Sequence, residues 1–270
     1  MKKELRIFFT AVMFLTRIRV PKQVDHDPAH LQKSAKYFPL IGWIVGGISA
    51  LVFLVFNRYL SANLAILSSM VAGILITGAF HEDGFADSCD AFGGGWTKEK
   101  ILAIMKDSRL GTYGVIGLIA ILSAKFILIQ DLPRFTPSLE SPSVNIFYNY
   151  RYFIVLLIAA HSSSRLMPVF IIQFSEYVTD PDSAKSRLLA SRKLSWVYLT
   201  VACISGLAPL LLLPWVFSMA VILQLYLTYS LTKYFRRWIG GYTGDCLGAV
   251  QQVTEIAFYL AAVIIWQYIL

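Results

Sequence analysis

Long apolar runs separated by short polar segments are the dominant pattern along this chain. A helix needs roughly 20 mostly apolar residues to cross the hydrocarbon core of a bilayer. Most of these runs reach that length, and none of them contains more than two charged residues. The pattern therefore predicts membrane-spanning helices at residues 39–59, 62–80, 111–132, 152–174, 196–213, 215–234 and 256–270.

The run that extends from residue 196 to residue 235 is too long for a single crossing. Pro214 stands near its middle, and a proline removes a backbone donor and favours a turn. We therefore divide this run into two spans at Pro214. The last span, at 256–270, is short, and we expect it to begin a few residues earlier.

The first 22 residues combine a basic start with a short apolar stretch. No small-residue cleavage site follows, and Arg17, Arg19 and Lys22 come directly after the stretch, so a cleaved signal peptide is not expected. At helical spacing the basic residues share one face and the apolar residues cover the rest. This pattern favours a helix over residues 1–22 that lies in the membrane interface.

Composition supports the same interpretation. The chain is 57% hydrophobic and 15% charged, whereas a soluble domain carries about 25% charged residues. We therefore predict an all-α fold, a polytopic bundle of about seven transmembrane helices plus the interfacial helix, formed by residues 1–270 as a single membrane-embedded domain. The three cysteines show no CxxC spacing, so neither a disulfide framework nor a zinc site is expected.

The net charge of +8 is explained by topology rather than by nucleic-acid binding, and no nucleic-acid partner is expected. Loops rich and poor in Lys and Arg alternate between the predicted spans, and the positive-inside rule places the rich loops in the cytoplasm. Those loops include residues 81–110 and 236–255, which we expect to form the active site, while the C-terminus lies outside. The proline- and serine-rich loop at 133–145 is expected to be a plain connector.

One of these cytoplasmic loops is unusually acidic. The segment HEDGFADSCDAFGGG places Asp83, Asp87 and Asp90 on one helical face, with Glu82 pointing away from it. Like charges at this spacing destabilise a bare helix, so they need a compensating cation or proton. Mg²⁺ suits the site because it binds carboxylates together with substrate phosphate oxygens. The glycines at 93–95 leave room for a bulky ligand; an acidic solvated turn is the alternative.

A short basic and polar segment precedes the third span. Lys106, Asp107, Ser108 and Arg109 follow a predicted surface helix that Thr97 is expected to cap. Cations beside a carboxylate–metal cluster suit a diphosphate, so we expect these four residues to contact substrate. For Lys106 and Arg109, topological anchoring is an equally good explanation.

A second group of candidates lies in GGYTGDCLGAVQQVTE at residues 240–255. Asp245 is its lone aspartate and a catalytic candidate. The other members, which we expect to contact substrate, are Thr243, Gly244, Gln251 and Glu255.

Two basic residues lie inside predicted spans, where an ionisable group is a functional candidate by default. Arg165, within HSSSR, is expected to contact substrate, with snorkelling to the interface as the alternative. Lys125 lies near the middle of its span, and the sequence names no partner for it.

Taken together, these residues predict a membrane enzyme that uses Mg²⁺ to act on a phosphate- or diphosphate-bearing substrate. Membrane prenyltransferases and CDP-alcohol phosphotransferases share that chemistry, but this sequence has neither a second Asp-rich pair nor the DxxDG-xx-AR-…-G-xxx-D-xxx-D arrangement. A transporter that uses Arg165 and Lys125 is a further alternative, although we find no inverted repeat.

Three motifs, in order, resemble those of the cobalamin synthase family: HEDGFADSCDAFGGG, IMKDSRLGTYGV and GGYTGDCLGAVQQVTE. FLTRIRVP and YFPLIGWIVGG are similar to the opening of that family, so the resemblance covers nearly the whole chain. It implies a multi-pass enzyme of the bacterial inner membrane that joins adenosylcobinamide-GDP to α-ribazole or its 5′-phosphate. GMP leaves, adenosylcobalamin or its 5′-phosphate forms, and Mg²⁺ is required. The lipid bilayer is an expected partner, and a homo-oligomer or an association with other cobalamin-assembly enzymes stays open.

The resemblance also suggests roles for the acidic residues. Asp83, Asp87 and Asp90 would hold Mg²⁺ against the diphosphate. The proton of the attacking ribose hydroxyl would pass to Asp90, Asp245 or His81. Asp245 would alternatively complete a second metal site.

Overall fold

The structure, a computed structural model, describes residues 3–22, 24, 28–133, 150–178 and 193–270, and these are almost entirely helical. An isolated parallel bridge between Tyr177 and Tyr242 is the one extended pairing within those ranges. Short 3₁₀ segments at Ala35–Tyr37, Ala208–Leu212 and Trp215–Ser218 adjoin longer helices. The α-helices are α1 (Lys3–Leu15), α2 (Pro28–Ser34), α3 (Phe38–Asn57), α4 (Ala62–Thr77), α5 (Phe80–Gly94), α6 (Lys98–Met105), α7 (Thr112–Gln130), α8 (Arg151–Phe174), α9 (Trp196–Leu207), α10 (Met219–Ile239) and α11 (Gly244–Tyr268).

Several helices are long and apolar enough to cross a membrane, which confirms the predicted all-α, multi-pass architecture. Helices α4 and α5 are long and apolar enough to cross a membrane only when they are taken together, and a bend of 87° lies between them. Trp196–Leu212 is apolar but shorter. The described residues therefore contain five helices long and apolar enough to cross a membrane, or six if the bent pair is one span, against about seven predicted from the sequence. The five are His30–Asn57, Thr112–Gln130, Arg151–Phe174, Trp215–Ile239 and Gly244–Tyr268.

The last span departs most from its predicted bounds. Helix α11 begins at Gly244, well before residue 256, because the hydroxyl of Thr243 caps it by accepting a hydrogen bond from the Cys246 backbone N–H at 3.3 Å. The segment at 236–255 is therefore not a loop but the end of α10, a short turn and the first turns of α11. The segment at 81–110 is likewise made mainly of α5 and α6.

Two local signals in the sequence are confirmed. The helical run is interrupted at residues 213–214, as Pro214 predicts, and the Thr97 hydroxyl caps α6 by accepting a hydrogen bond from the Lys100 N–H at 3.3 Å. The predicted connector at 133–145 lies outside the described residues apart from its first residue. Between the fourth and fifth predicted spans, residues 179–192 lie outside them as well.

Helix α8 forms the centre of the bundle, and most of its residues are buried. Two glycines of α3 face it: a Cβ on Gly42 would stand 2.3 Å from the carbonyl oxygen of His161, and one on Gly46 would stand 2.8 Å from the Cα of Ile158. Small residues at this four-residue spacing let two membrane helices pack with their backbones in contact. This contact fixes the part of α8 that carries His161 and Arg165.

The N-terminal helix α1 packs against the bundle. Its Ile7 and Ala11 are fully buried, and the Glu4 carboxylate lies 2.7 Å from the buried Lys36 ammonium. The same ammonium lies 3.8 Å from the centre of the Tyr198 ring, so it ties α1 to α9. The position of α1 at a membrane interface stays a prediction.

The turn between α4 and α5 is formed by two left-handed residues, Gly78 with φ of 66° and Ala79 with φ of 58°. Glycine adopts this conformation freely, whereas an alanine is strained by its Cβ. The segment just after α1 covers the turn, since the backbone N–H of Arg17 donates to the carbonyl of Ile76 at 2.6 Å. This turn directs α5 across the end of the bundle.

Replacing Ala79 by glycine is expected to stabilise the protein. A left-handed non-glycine residue costs roughly 1–2 kcal/mol, and the added freedom of glycine in the unfolded chain offsets about 0.5–1 kcal/mol of that gain. We expect thermal unfolding in detergent to shift upward by about 2 °C. The control is Ala103→Gly in the exposed face of α6, which is expected to lower the same temperature. A lower melting temperature for Ala79→Gly would show that the turn is not strained.

Candidate active site

The aspartates of α5 run from exposed to buried along one side of the helix. Asp83 is exposed, Asp87 is half-buried and Asp90 is only 9% exposed. The cause is helix α7, whose first residues lie across the last turn of α5. The three carboxylates predicted to act together therefore have different surroundings.

Asp90 is bound to the start of α7. Its two carboxylate oxygens accept hydrogen bonds from the backbone N–H groups of Gly111 at 2.7 Å and Gly114 at 2.8 Å. A Cβ on either glycine would stand 2.4 Å from a carboxylate oxygen of Asp90, and one on Gly117 would stand 2.7 Å from the sulfur of Cys89. The absence of side chains at these glycines lets the start of α7 pack closely on α5. Asp90 thus satisfies free donors at a helix N-terminus.

A close crossing of α5 and α11 brings Asp245 to the other aspartates. A Cβ on Gly84 would stand 3.1 Å from the Cα of Asp245, and one on Gly248 would stand 3.1 Å from the carbonyl oxygen of His81. The backbones touch because neither glycine has a side chain. The two acidic segments, far apart in sequence, meet at this point.

The carboxylates of Asp83, Asp87 and Asp245 form one electrostatic group. The negative charges of Asp83 and Asp90 oppose ionisation of the Asp87 carboxyl group. Those of Asp87 and Asp83 oppose ionisation of the Asp245 carboxyl group in the same way. Within the described ranges, no Lys, Arg or His forms an ion pair with these three residues. As the side chains stand, the same ranges contain no set of three or more His, Cys, Asp or Glu residues placed to hold a metal ion.

The segment after α6 is accessible from the same end of the bundle. Lys106, Ser108 and Arg109 are exposed, and the Arg109 guanidinium lies 2.6 Å from the Asp107 carboxylate. Hydrogen bonds from the side chain and backbone of Arg109 lower the pKa of Asp107 to about 2. Asp107 is therefore ionised at neutral pH and forms an ion pair with Arg109, which was predicted to bind substrate.

A buried polar network lies behind the carboxylates, at the junction of α7, α8 and α11. Lys125 forms an ion pair with Glu255, and His161 Nδ1 lies 3.4 Å from the second carboxylate oxygen of Glu255. The guanidinium of Arg165 lies 3.1 Å from His161 Nδ1. We define the network as Lys125, His161, Arg165, Gln251, Gln252 and Glu255, all of them at most 7% exposed.

Several residues predicted to contact substrate belong to this network instead of the carboxylate site. Arg165, Gln251 and Glu255 are at most 3% exposed. His81 is 5% exposed, and the charges that act on it are those of the network, not those of the aspartates. These four side chains are therefore buried, unlike that of the exposed Asp83. Gly244, by contrast, is exposed beside Asp245.

A family model described as cobalamin-5-phosphate synthase matches residues 7–263. The chain belongs to this family. The adenosylcobinamide-GDP ribazoletransferase of Shewanella frigidimarina is 42% identical over 260 residues, covering 96% of this chain and 94% of that protein. The proteins of the same name from Shewanella oneidensis and Shewanella halifaxensis are 40% and 41% identical, covering 97% and 98% of this chain and 95% and 97% of their own lengths. No solved structure matches the chain.

The region matched to the cobalamin-5-phosphate synthase family includes all of α5 and residues 244–263 of α11, the two helices that form the carboxylate site. Reasoning from sequence did not find Glu82, which was expected to point away as a bystander. It is 8% exposed, and one of its oxygens accepts a hydrogen bond from Gln252 at 3.1 Å. The sequence did single out Lys125, because it is a charged residue inside a predicted span. Its partner Glu255 is identified only by the packing of α7 on α11.

Proposed function

We propose that this chain is an adenosylcobinamide-GDP ribazoletransferase of cobalamin biosynthesis. It joins adenosylcobinamide-GDP to α-ribazole or its 5′-phosphate, with release of GMP and formation of adenosylcobalamin or its 5′-phosphate. The observation that carries this proposal is the similarity to proteins of that name over nearly the full length of both chains. The grouped carboxylates and the exposed basic residues support it, because carboxylates can hold a cation and basic side chains can bind the anionic oxygens of a diphosphate.

We further propose that the site uses Mg²⁺. Three carboxylates that repel one another, with no cationic partner among the described residues, have the donor chemistry that this hard ion prefers. Mg²⁺ commonly binds through only one or two carboxylates plus water and substrate phosphates, so a complete protein cage is not required. Asp83 and Asp87 would hold it, because the oxygens of Asp90 already bind the start of α7. The ion would neutralise charge on the diphosphate.

The side chains of the site also have to orient the attacking hydroxyl and accept its proton. Of the three predicted proton acceptors, His81 is buried against the network and Asp90 is hydrogen-bonded to α7, which leaves Asp245 as the accessible candidate. Asp245 would accept the proton of the ribose hydroxyl that attacks phosphorus. Positioning supplies much of the rate of such a transfer, and the close crossing of α5 and α11 provides it.

Arg109 is proposed to bind the diphosphate, together with Lys106. Replacing Arg109 by alanine is expected to raise KM for adenosylcobinamide-GDP roughly tenfold, since a hydrogen bond to a charged group contributes about 1.5–3 kcal/mol. Asp107→Asn is expected to lower this KM, because it releases the guanidinium that Asp107 now holds. Arg58→Ala, at an exposed position after α3, is the matched control. Equal KM values for wild type and Arg109→Ala would remove Arg109 from the substrate site.

The carboxylate end of the bundle is proposed to face the cytoplasm of a bacterial inner membrane. Lys98 on α6 lies beside the turn after α10, since a Cβ on Gly240 would stand 3.4 Å from its ammonium nitrogen. Arg236 and Arg237 occupy the last turn of α10 at the same end. Basic residues collected there support a cytoplasmic position. A periplasmic reporter fused after Leu270 is expected to be active, and activity of a cytoplasmic reporter there would reverse this orientation.

The transferase activity is tested by assay of the purified protein in proteoliposomes. Adenosylcobinamide-GDP, α-ribazole and Mg²⁺ are supplied, and GMP and the cobalamin product are measured. We expect equal amounts of the two products, and none without α-ribazole. Failure to release GMP from fully folded protein would overturn the proposal, and activity in the presence of a chelator would overturn the role of Mg²⁺.

A further inference from the structure

A path of hydrogen bonds joins the buried polar network to α5. The side-chain N–H₂ of Gln252 donates to Glu82 Oε1 at 3.1 Å and to Gln251 Oε1 at 3.0 Å. The N–H₂ of Gln251 in turn donates to Glu255 Oε2 at 2.6 Å. The path therefore runs from the Lys125–Glu255 ion pair to Glu82, the residue directly before Asp83.

Stability alone does not account for this path. Charges buried inside a membrane bundle carry a large desolvation cost, and well-packed apolar residues of similar volume are often as stabilising or more so. Glu82 is buried, and its Oε2 has no hydrogen-bond partner within the described ranges. Hydrogen bonds are directional and join defined atoms, so they fix the orientation of one helix relative to another better than apolar contacts do.

The rotation of the first turns of α5 about the helix axis is what needs to be fixed, since the hydrogen bonds of Asp90 hold only the later part of α5, against α7. Near its start, α5 meets α11 through Gly84 and Gly248, and a contact between two glycines has no side chains that would resist rotation. The hydrogen bond between Glu82 and Gln252 lies beside that contact and does resist it. Because successive helical residues differ by about 100°, holding Glu82 inward keeps Asp83 on the exposed side.

We infer that Glu82 and Gln252 are positioning residues: through them the buried network sets the rotation of α5 and so directs Asp83 and Asp87 toward Asp245. This inference rests on the proposed function, because the carboxylates matter only if they act on substrate. Glu82 itself, at 8% exposure and on the inner side of α5, does not contact substrate.

The kinetic test compares Glu82→Leu with Glu82→Gln. Leucine removes the acceptor for Gln252, and we expect kcat to fall by about 10²-fold with KM for both substrates within about twofold, the size of effect that a small misplacement of catalytic groups produces. Glutamine keeps a carbonyl oxygen at the same place, so it is expected to retain at least about a third of wild-type kcat. Glu99→Leu and Glu99→Gln, on exposed α6, are the matched controls.

Three outcomes would overturn the inference. Full activity of Glu82→Leu would show that the hydrogen bond to Gln252 is unnecessary. Equal losses in Glu82→Leu and Glu82→Gln would assign the effect to the negative charge, and so to a role other than positioning. A loss that only matches the loss of folded protein, measured by size-exclusion chromatography and thermal unfolding, would make Glu82 purely structural.

A second measurement does not depend on transferase activity. Asp83→Cys and Asp245→Cys are combined in a background without Cys89, Cys203 and Cys246, and the rate of joining by a short bifunctional thiol reagent is measured. We expect rapid joining that slows at least fivefold when Gln252→Leu is added. An unchanged rate with Gln252→Leu would overturn the positioning role even if the protein is an active transferase. Slower joining, together with a wild-type protein that releases no GMP, would instead reject only the proposed function.

Discussion

GMP release by the Asp83→Asn variant is expected to fall by about 10³-fold, because a metal that neutralises phosphoryl charge contributes several kcal/mol to the transition state. Asparagine keeps the size of the side chain but removes the charge that would hold Mg²⁺. Asp83 is exposed, so this change is expected to leave folding and membrane insertion intact. The measurement is single-turnover release of GMP in proteoliposomes at several Mg²⁺ concentrations.

Asp131→Asn is the matched control for this loss, since Asp131 is exposed at the end of α7 that lies opposite Gly111. It is expected to keep wild-type activity. Normal turnover by Asp83→Asn would reject the metal site. Asp90→Asn provides a further contrast, because it loses an oxygen that accepts the backbone N–H of Gly111 or Gly114. We expect it to lower the melting temperature, which Asp83→Asn does not.

The second large effect concerns the crossing of α5 and α11. Gly248→Val is expected to reduce kcat by about 10²-fold, because its side chain would displace α5 and separate Asp83 from Asp245. Gly248→Ala is expected to have a smaller effect, since a Cβ there would lie 3.1 Å from the His81 carbonyl oxygen and 3.3 Å from the Cα of Gly84. The neighbouring backbone has to move by only a few tenths of an ångström in that case.

Gly47 offers the control for these variants. It lies in α3, and a Cβ at this position meets no atom within 4 Å. Gly47→Ala and Gly47→Val are therefore expected to keep activity, and α-helix propensity favours the alanine. If Gly248→Val and Gly47→Val behave alike in both kcat and thermal unfolding, close packing at the crossing has no catalytic importance.

Sequence alone determined the fold class, since apolar runs of membrane-crossing length can be satisfied only by helices in a chain without strand patterning. It also located local breaks such as Pro214 and the cap at Thr97, because these depend on neighbouring residues only. The aspartates at 83, 87 and 90 and Asp245 were found as well, by charge in an otherwise apolar chain. The predicted start of α11 was too late because the segment around Thr243 is rich in glycine and lacks the continuous apolar pattern of a span.

Only the tertiary structure decided which of these residues lie together. Sequence spacing placed Asp90 with Asp83, but the start of α7 binds Asp90, and the Gly84–Gly248 contact brings in Asp245 from far along the chain. The direction of Glu82, too, depends on the position of Gln252 on another helix. Helical periodicity fixes what one helix presents on each face, whereas the partner of each face depends on how separate helices pack, and local sequence carries little of that information.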